Sequence, residues 1–335
     1  MQLKPVDQQV VVVMGASSGI GRETARQFAR RGAKVVVSAR SQEGLQTLVD
    51  EIHKEGHEAV AIPADVSDFQ QVQAVAEAAV DSFGRLDTWV HLAGTAVFAS
   101  FEQTTPEEFK RVLEVNLLGQ AYGAMAALPQ LRRTGRGALI HVSSVEAHRS
   151  LPYQSSYAAS KHGIEGFLDS LRLELLHDRV PISVTNVMPS TINTPFFDKA
   201  RTKLGVKLRG VPPYYTPESV AEAILYVAQN PTREMIVGDT GKVLDLLHRL
   251  SPQLADTFLM AVAFEGQYTQ QPKSADAPDN LYQPISGYDR TEGEYKNLTL
   301  PNVTQWLDQN PLAKILAAGA LGAAMFLAAT RTTRG

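Results

Sequence analysis

The chain of 335 residues contains no cysteine. That absence removes disulfides, thiolate metal sites and cysteine nucleophiles together, and it suits a reducing compartment such as the cytoplasm. No metal site is expected. One-sided charge is missing too: 32 basic and 35 acidic residues leave a formal net charge of −3. Without a basic bias there is no reason to expect nucleic acid as a partner. The N-terminus offers no signal peptide, since one lysine and a four-valine run lead straight into a glycine turn. Long apolar runs are likewise scarce, and the exception is Ile315 to Ala329, followed by Arg331 and Arg334. What remains is ordinary globular material, 44% hydrophobic and 20% charged, with enough for a sizeable core.

Along the first two-thirds, short β-branched runs alternate with longer helical patterns. Residues 10–14, 34–39, 59–63, 88–91, 138–142, 182–188 and 235–237 read as buried strands, bounded by Gly, Pro, Ser or Asp. Helix-period stretches lie between them, at 22–31, 43–55, 69–83, 106–127, 157–176 and 217–229. Continuous apolar strands alternating with helices indicate a parallel sheet covered on both faces. The expected fold is α/β: a doubly wound (Rossmann) parallel sheet of about seven strands with a helical and irregular C-terminal extension. Gly32 after Arg30 and Arg31 marks a helix stop, and Thr104 or Thr105 before Pro106 marks a start, as does Thr216 before Pro217.

Three regions are expected. Residues 6–243 form a dinucleotide-binding catalytic domain, and 244–310 form an arm with one or two amphipathic helices over 244–264. Residues 267–300, poor in aliphatics, read as an extended arm or a partly disordered linker. Residues 311–335 form an apolar helix. Its length and alanine content are marginal for spanning a bilayer, so it reads either as a membrane attachment or as a helix packed on a partner subunit.

The segment Met14-Gly15-Ala16-Ser17-Ser18-Gly19-Ile20-Gly21 joins the first strand to the first helix. Its glycines permit a tight turn and close backbone approach, so that a pyrophosphate can rest on the helix N-terminus. The spacing is GxxxGxG, and here the chain resembles the classical short-chain dehydrogenase/reductase family, although Met14 stands where the family usually has threonine. At the end of the second strand there is Arg40 rather than a carboxylate. An arginine there can pair with a 2′-phosphate through its guanidinium fork. The resemblance therefore favours NADP(H) over NAD(H). It also implies that Asp65 and Val66 hold the adenine ring. Leu92-Ala93-Gly94 replaces the family's Asn-Ala-Gly, keeping the small pair Ala93 and Gly94 that lets cofactor pass.

Ser143 and Ser144 follow the fifth strand, and Tyr157 and Lys161 share one face of the next helix at i and i+4. A free tyrosine titrates near pH 10, too high for efficient proton exchange, and a neighbouring ammonium favours the phenolate. Ser144 stands thirteen residues before Tyr157, which matches the family's catalytic serine by spacing. The resemblance implies that Tyr157 is the acid/base, Lys161 its partner and ribose holder, and Ser144 the substrate-orienting donor. Asn116 matches the fourth member, which bends its helix and holds a relay water. Pro189, Ile192 and Thr194 match the stretch that binds the nicotinamide carboxamide, with Ser190 replacing a glycine. Motif matches run from about Val10 to Val237.

Candidate pocket walls are 95–98, 146–153 and 196–208. His148, Arg149 and Tyr153 read more readily as loop or interface residues than as substrate ligands. The basic stretch Lys199, Arg201, Lys203, Lys207 and Arg209 reads as a solvated lid. The sequence thus describes an oxidoreductase interconverting a small-molecule alcohol and a carbonyl, acting as a homo-oligomer. A cofactor-binding sensor or scaffold of the same fold is the alternative, and the complete Ser144, Tyr157 and Lys161 set argues against it.

Overall fold

The computed structural model describes residues 1–310 together with Leu312, Ala313 and Leu316. In chain order, β1 (Val10–Met14), α1 (Gly19–Arg30), β2 (Lys34–Ala39), α2 (Gln42–Lys54), β3 (Ala59–Pro63) and α3 (Phe69–Phe83) come first. Next are β4 (Thr88–His91), β5 (Val97–Phe98), α4 (Pro106–Leu113), α5 (Gly119–Thr134), β6 (Gly137–Val142), α6 (Ser155–His177) and β7 (Ile182–Pro189). Then follow α7 (Phe196–Lys199), β8 (Arg201–Thr202), β9 (Val206–Leu208), α8 (Pro217–Val227) and β10 (Glu234–Val237). The last elements are α9 (Asp239–Leu250), α10 (Pro252–Gln267), β11 (Tyr268–Pro272) and the short α11 (Gln305–Gln309).

Seven strands form one parallel sheet in the order β10-β7-β6-β4-β1-β2-β3. Strand periodicity explains how it is covered. In β1, Val11 and Val13 face one side, where Phe28, Leu45 and Leu48 of α1 and α2 pack with Val220 and Ile224 of α8. Val10, Val12 and Met14 face the other, against Val72 and Val75 of α3, Leu131 of α5 and Leu168 of α6. Strand order reverses between β1 and β4, so the carboxyl ends of these strands open a crevice at the switch point.

Local chemistry sets the helix boundaries. Thr105, not Thr104, caps α4 in a reciprocal pair with Glu108, and Thr216 caps α8 through the Ser219 N–H. Two expectations need correction. The single helix foreseen over 106–127 is interrupted by a π turn at Glu114–Leu118 and continues to Thr134. Asn116 lies in that turn, where its side chain binds Thr95 and Ser160 instead of facing solvent.

The second correction concerns 267–300, which is an anchored arm and not a disordered linker. Strand β11 pairs antiparallel with β9, and Lys273 Nζ donates to the carbonyls of Asp198 and Ala200. Further along, Leu281 is fully buried against Val97, Ala99 and Val112, while Tyr295 stacks on Tyr214 with centroids 4.7 Å apart. The apolar segment at 315–329 lies outside the described residues. Among the described residues no helix is long and apolar enough to cross a membrane.

Candidate active site

A cleft of about 270 Å³ opens at the carboxyl ends of β1, β2, β4, β6 and β7. Of the residues that the resemblance assigns to catalysis or to the cofactor, all but Asn116 border it, whereas His148, Arg149, Tyr153, Arg201, Lys203, Lys207 and Arg209 do not. The glycine turn forms its floor. Gly15 has φ +88°, and a Cβ there would lie 2.6 Å from the Ala93 amide nitrogen. A Cβ on Gly21 would lie 2.2 Å from the Gly15 carbonyl oxygen. Only glycines let the turn close this tightly against the strand behind it. Ser18, the residue before α1, makes no side-chain cap bond, and the first turn of α1 holds no acid. The positive end of that helix thus carries no acid of its own, and the Arg290 carbonyl of the arm accepts from its Gly19 N–H at 2.9 Å.

Around the turn, Arg40 of the β2 end donates to the carbonyls of Asn280 (2.6 Å) and Tyr282 (3.0 Å) on the arm. Both partners are neutral and no ion pair involves Arg40 among the described residues, while the charge of Asp65 acts on it from a distance. Asp65 accepts from Ser67 and pairs with Arg111 at 2.7 Å, which fixes the loop that places Val66 beside the cleft. The Ser190 substitution is absorbed by its neighbours. Its Cβ occupies the space a side chain on Gly238 would need, 2.7 Å away, and Gly238 has φ +111°. Pro189 closes β7, Ile192 bridges to Tyr215, and the Thr194 side chain packs beside Gly19.

On the opposite wall, the π turn orients Asn116 so that every polar atom of its amide is used. Its Oδ1 accepts from Thr95 N, while Nδ2 donates to Thr95 O and to Ser160 Oγ. Ser160 Oγ in turn donates to the Tyr157 carbonyl at 2.6 Å. Asn116 thus ties the loop after β4 to the first turn of α6, which carries Tyr157 and Lys161. The Lys161 ammonium donates to the Val142 carbonyl at 3.2 Å and sits 5.2 Å from the Tyr157 ring centroid. Ser144 Oγ accepts from the Glu146 N–H at 3.1 Å, which leaves its own O–H to donate on the cleft side, where the Tyr157 phenol lies.

Burial dominates the electrostatics here. It pulls Lys161 down to about 7, against the opposing charge of Glu146. It also pushes the Tyr157 phenol up, as does Glu146, while a hydrogen bond with Ser144 works the other way. Desolvation is thus the largest influence on the phenol, followed by Glu146. Glu146, 5% exposed, is pushed up to about 8 by burial, with only the Leu151 N–H at 3.3 Å bonded to its carboxyl oxygen.

Three features were not apparent in the sequence. Glu146 appeared there only as the edge of a loop, since nothing in its neighbours announces burial. The lid bases are not solvated as expected: Arg201 pairs with Glu108 and Asp279, Lys203 with Glu108, and Lys207 with Asp198 and Glu294. Lys199 turns inward and donates to Ser18 Oγ at 2.6 Å. His148 and Arg149, by contrast, pair with Asp245 and Asp256 of the same chain, and Tyr153 packs on Phe264 and Tyr268. Among the described residues no cluster of His, Asp and Glu is arranged to hold a metal.

A doubly wound sheet with a glycine cradle at its switch point and a Ser-Tyr-Lys wall facing it defines a dinucleotide-binding oxidoreductase architecture. Comparison with known proteins narrows this. The sequence profile described as short chain dehydrogenase matches residues 9–205. The uncharacterized oxidoreductase YxnA of Bacillus subtilis is 39% identical over 288 residues, 84% of this chain and 80% of that one. Dehydrogenase/reductase SDR family member 7B of Bos taurus is 33% identical, over 74% of this chain and 79% of its own. An alcohol dehydrogenase from the archaeon Thermococcus sibiricus, solved with 5-hydroxy-NADP, superimposes with a TM-score of 0.60 at 29% identity. That match covers 68% of this chain and 95% of the other. The chain belongs to the short-chain dehydrogenase/reductase family of oxidoreductases.

Proposed function

We propose that the protein interconverts an alcohol and a carbonyl compound with NADP(H), using Tyr157 as the acid/base. The observation that carries this reading is the meeting of Ser144, Tyr157 and Lys161 with the glycine cradle and Arg40 in one cleft. The dinucleotide supplies the hydride donor or acceptor. In the oxidising direction the Tyr157 phenolate oxygen would take the substrate's O–H proton, while the bound dinucleotide would accept the C–H hydride. Ser144 donates a hydrogen bond to the same substrate oxygen. Lys161, 5.2 Å from the ring, in its protonated form would offset the phenolate charge before that proton is taken. Asn116 acts one step back, by holding the first turn of α6 in place.

The NADP(H) preference rests on Arg40. Its guanidinium borders the cleft in contact with neutral carbonyls only, and an arginine rather than a carboxylate stands at the β2 end, which supports pairing with a 2′-phosphate. A screen of aldehydes, ketones and alcohols, followed by absorbance of the reduced cofactor, tests the reaction. A sensor without turnover would bind the dinucleotide and give no product with any of them. Arg40→Asp should weaken NADPH binding by about tenfold or more, the scale of one charge-assisted bond, and leave NADH nearly unchanged. Equal losses for both would remove Arg40 from the specificity site.

A further inference from the structure

We infer that Lys199 is a ligand for the pyrophosphate of the dinucleotide, delivered to the glycine cradle from the lid segment and held there by the C-terminal arm. This rests on the dinucleotide-binding reading above and adds a cation that neither the glycine turn nor Arg40 provides. The Lys199 ammonium donates to Ser18 Oγ at 2.6 Å, directly at the N-terminus of α1. A cation in that position lies against the positive end of the helix and is disfavoured unless an anion sits between them. Two acids act on Lys199, Asp289 and Asp198, and neither is in ion-pair contact with it among the described residues. The neighbouring Asp198 is taken by Lys207 at 2.6 Å and Arg290 at 3.4 Å, and Lys199 makes no ion pair among the described residues.

Electrostatics agree with an unfilled anion site. Burial pulls Lys199 down to about 8, with Arg40 and Arg290 adding to the effect and Asp289 and Asp198 opposing it. Position separates this group from Arg40. Lys199 addresses the turn between β1 and α1, where a diphosphate would rest, whereas Arg40 lies at the end of β2, beside the ribose site. The arm fixes the lysine from outside. Asn280 N donates to the Lys199 carbonyl at 2.9 Å, and the Arg290 carbonyl accepts from Gly19 N at 2.9 Å. Lid, arm and cradle are thereby joined around one spot.

Titration calorimetry of the full chain with NADPH, ADP and 2′-AMP tests the assignment, since the first two carry a pyrophosphate and the third does not. Lys199→Met should weaken NADPH and ADP by about tenfold or more, the scale of one charge-assisted hydrogen bond, and leave 2′-AMP unchanged. Lys199→Arg should restore most of the loss. Unaltered NADPH and ADP binding by Lys199→Met, with an intact thermal transition, overturns the inference and leaves the cofactor reading standing. An equal loss for 2′-AMP also overturns it, because Lys199 would then act through general charge or on the 2′-phosphate. Failure of the unmutated chain to bind NADPH at all overturns the cofactor reading, and this inference with it.

Discussion

At the scale of single residues, the active-site electrostatics turn on a carboxyl that belongs to no recognised motif. Glu146 is buried beside Ser144, and its pKa is pushed up to about 8. At neutral pH it is therefore mostly protonated, and its opposition to a phenolate on Tyr157 grows as it ionises. The effect on stability has a definite sign. Between about pH 4.5 and 8 the unfolded chain has lost this proton and the folded chain keeps it, so stability falls as pH rises through that window. Glu146→Gln keeps an oxygen for the Leu151 N–H and removes the charge. Thermal unfolding should show the variant more stable than the parent above pH 8, by an amount on the order of a few kcal/mol, and equal to it near pH 4. A constant difference across the range would mean that Glu146 is ionised throughout.

At the scale of elements, the arm is the part that sequence patterning did not describe. Strands such as β1 and β2 were legible because runs of valine between turn residues have few other readings. The GxxxGxG turn and the Ser144, Tyr157 and Lys161 spacing were legible because they are local. The arm is neither periodic nor local. Its anchors are backbone carbonyls and ion pairs, such as Asn280 O to Arg40 across 240 residues, and composition carries no trace of such contacts. For the same reason Lys199 read as one more surface base until its partner Ser18, 181 residues away, was seen. The π turn at Asn116 was hidden because a helix with one extra residue keeps almost the same apolar period.

The arm's main apolar anchor is Leu281, fully buried beside Val97, Ala99 and Val112. Leu281→Ala removes a contact of about 2–5 kcal/mol at a site far from the central sheet. Hydrogen exchange should accelerate over 273–300 while amides of β1 and β4 keep their protection, because the arm opens as a local unit. Uniform acceleration through the sheet would show instead that the arm is part of the same cooperative core.

At the scale of the whole molecule, the two halves of the sheet serve different tasks. The β1-to-β3 side presents the cradle and Arg40. The β4-to-β7 side presents Asn116, Ser144, Tyr157 and Lys161, and the crevice between them is where the proposed hydride and proton transfers would meet. The lid and arm then close over the dinucleotide end and leave the tyrosine wall to the substrate. The account stands or falls on Tyr157. With a carbonyl substrate identified by the screen, Tyr157→Phe should lower turnover by about 10²–10⁴-fold or more, while calorimetric NADPH affinity stays nearly the same. Turnover preserved in that variant would contradict the assignment of the proton-transfer centre.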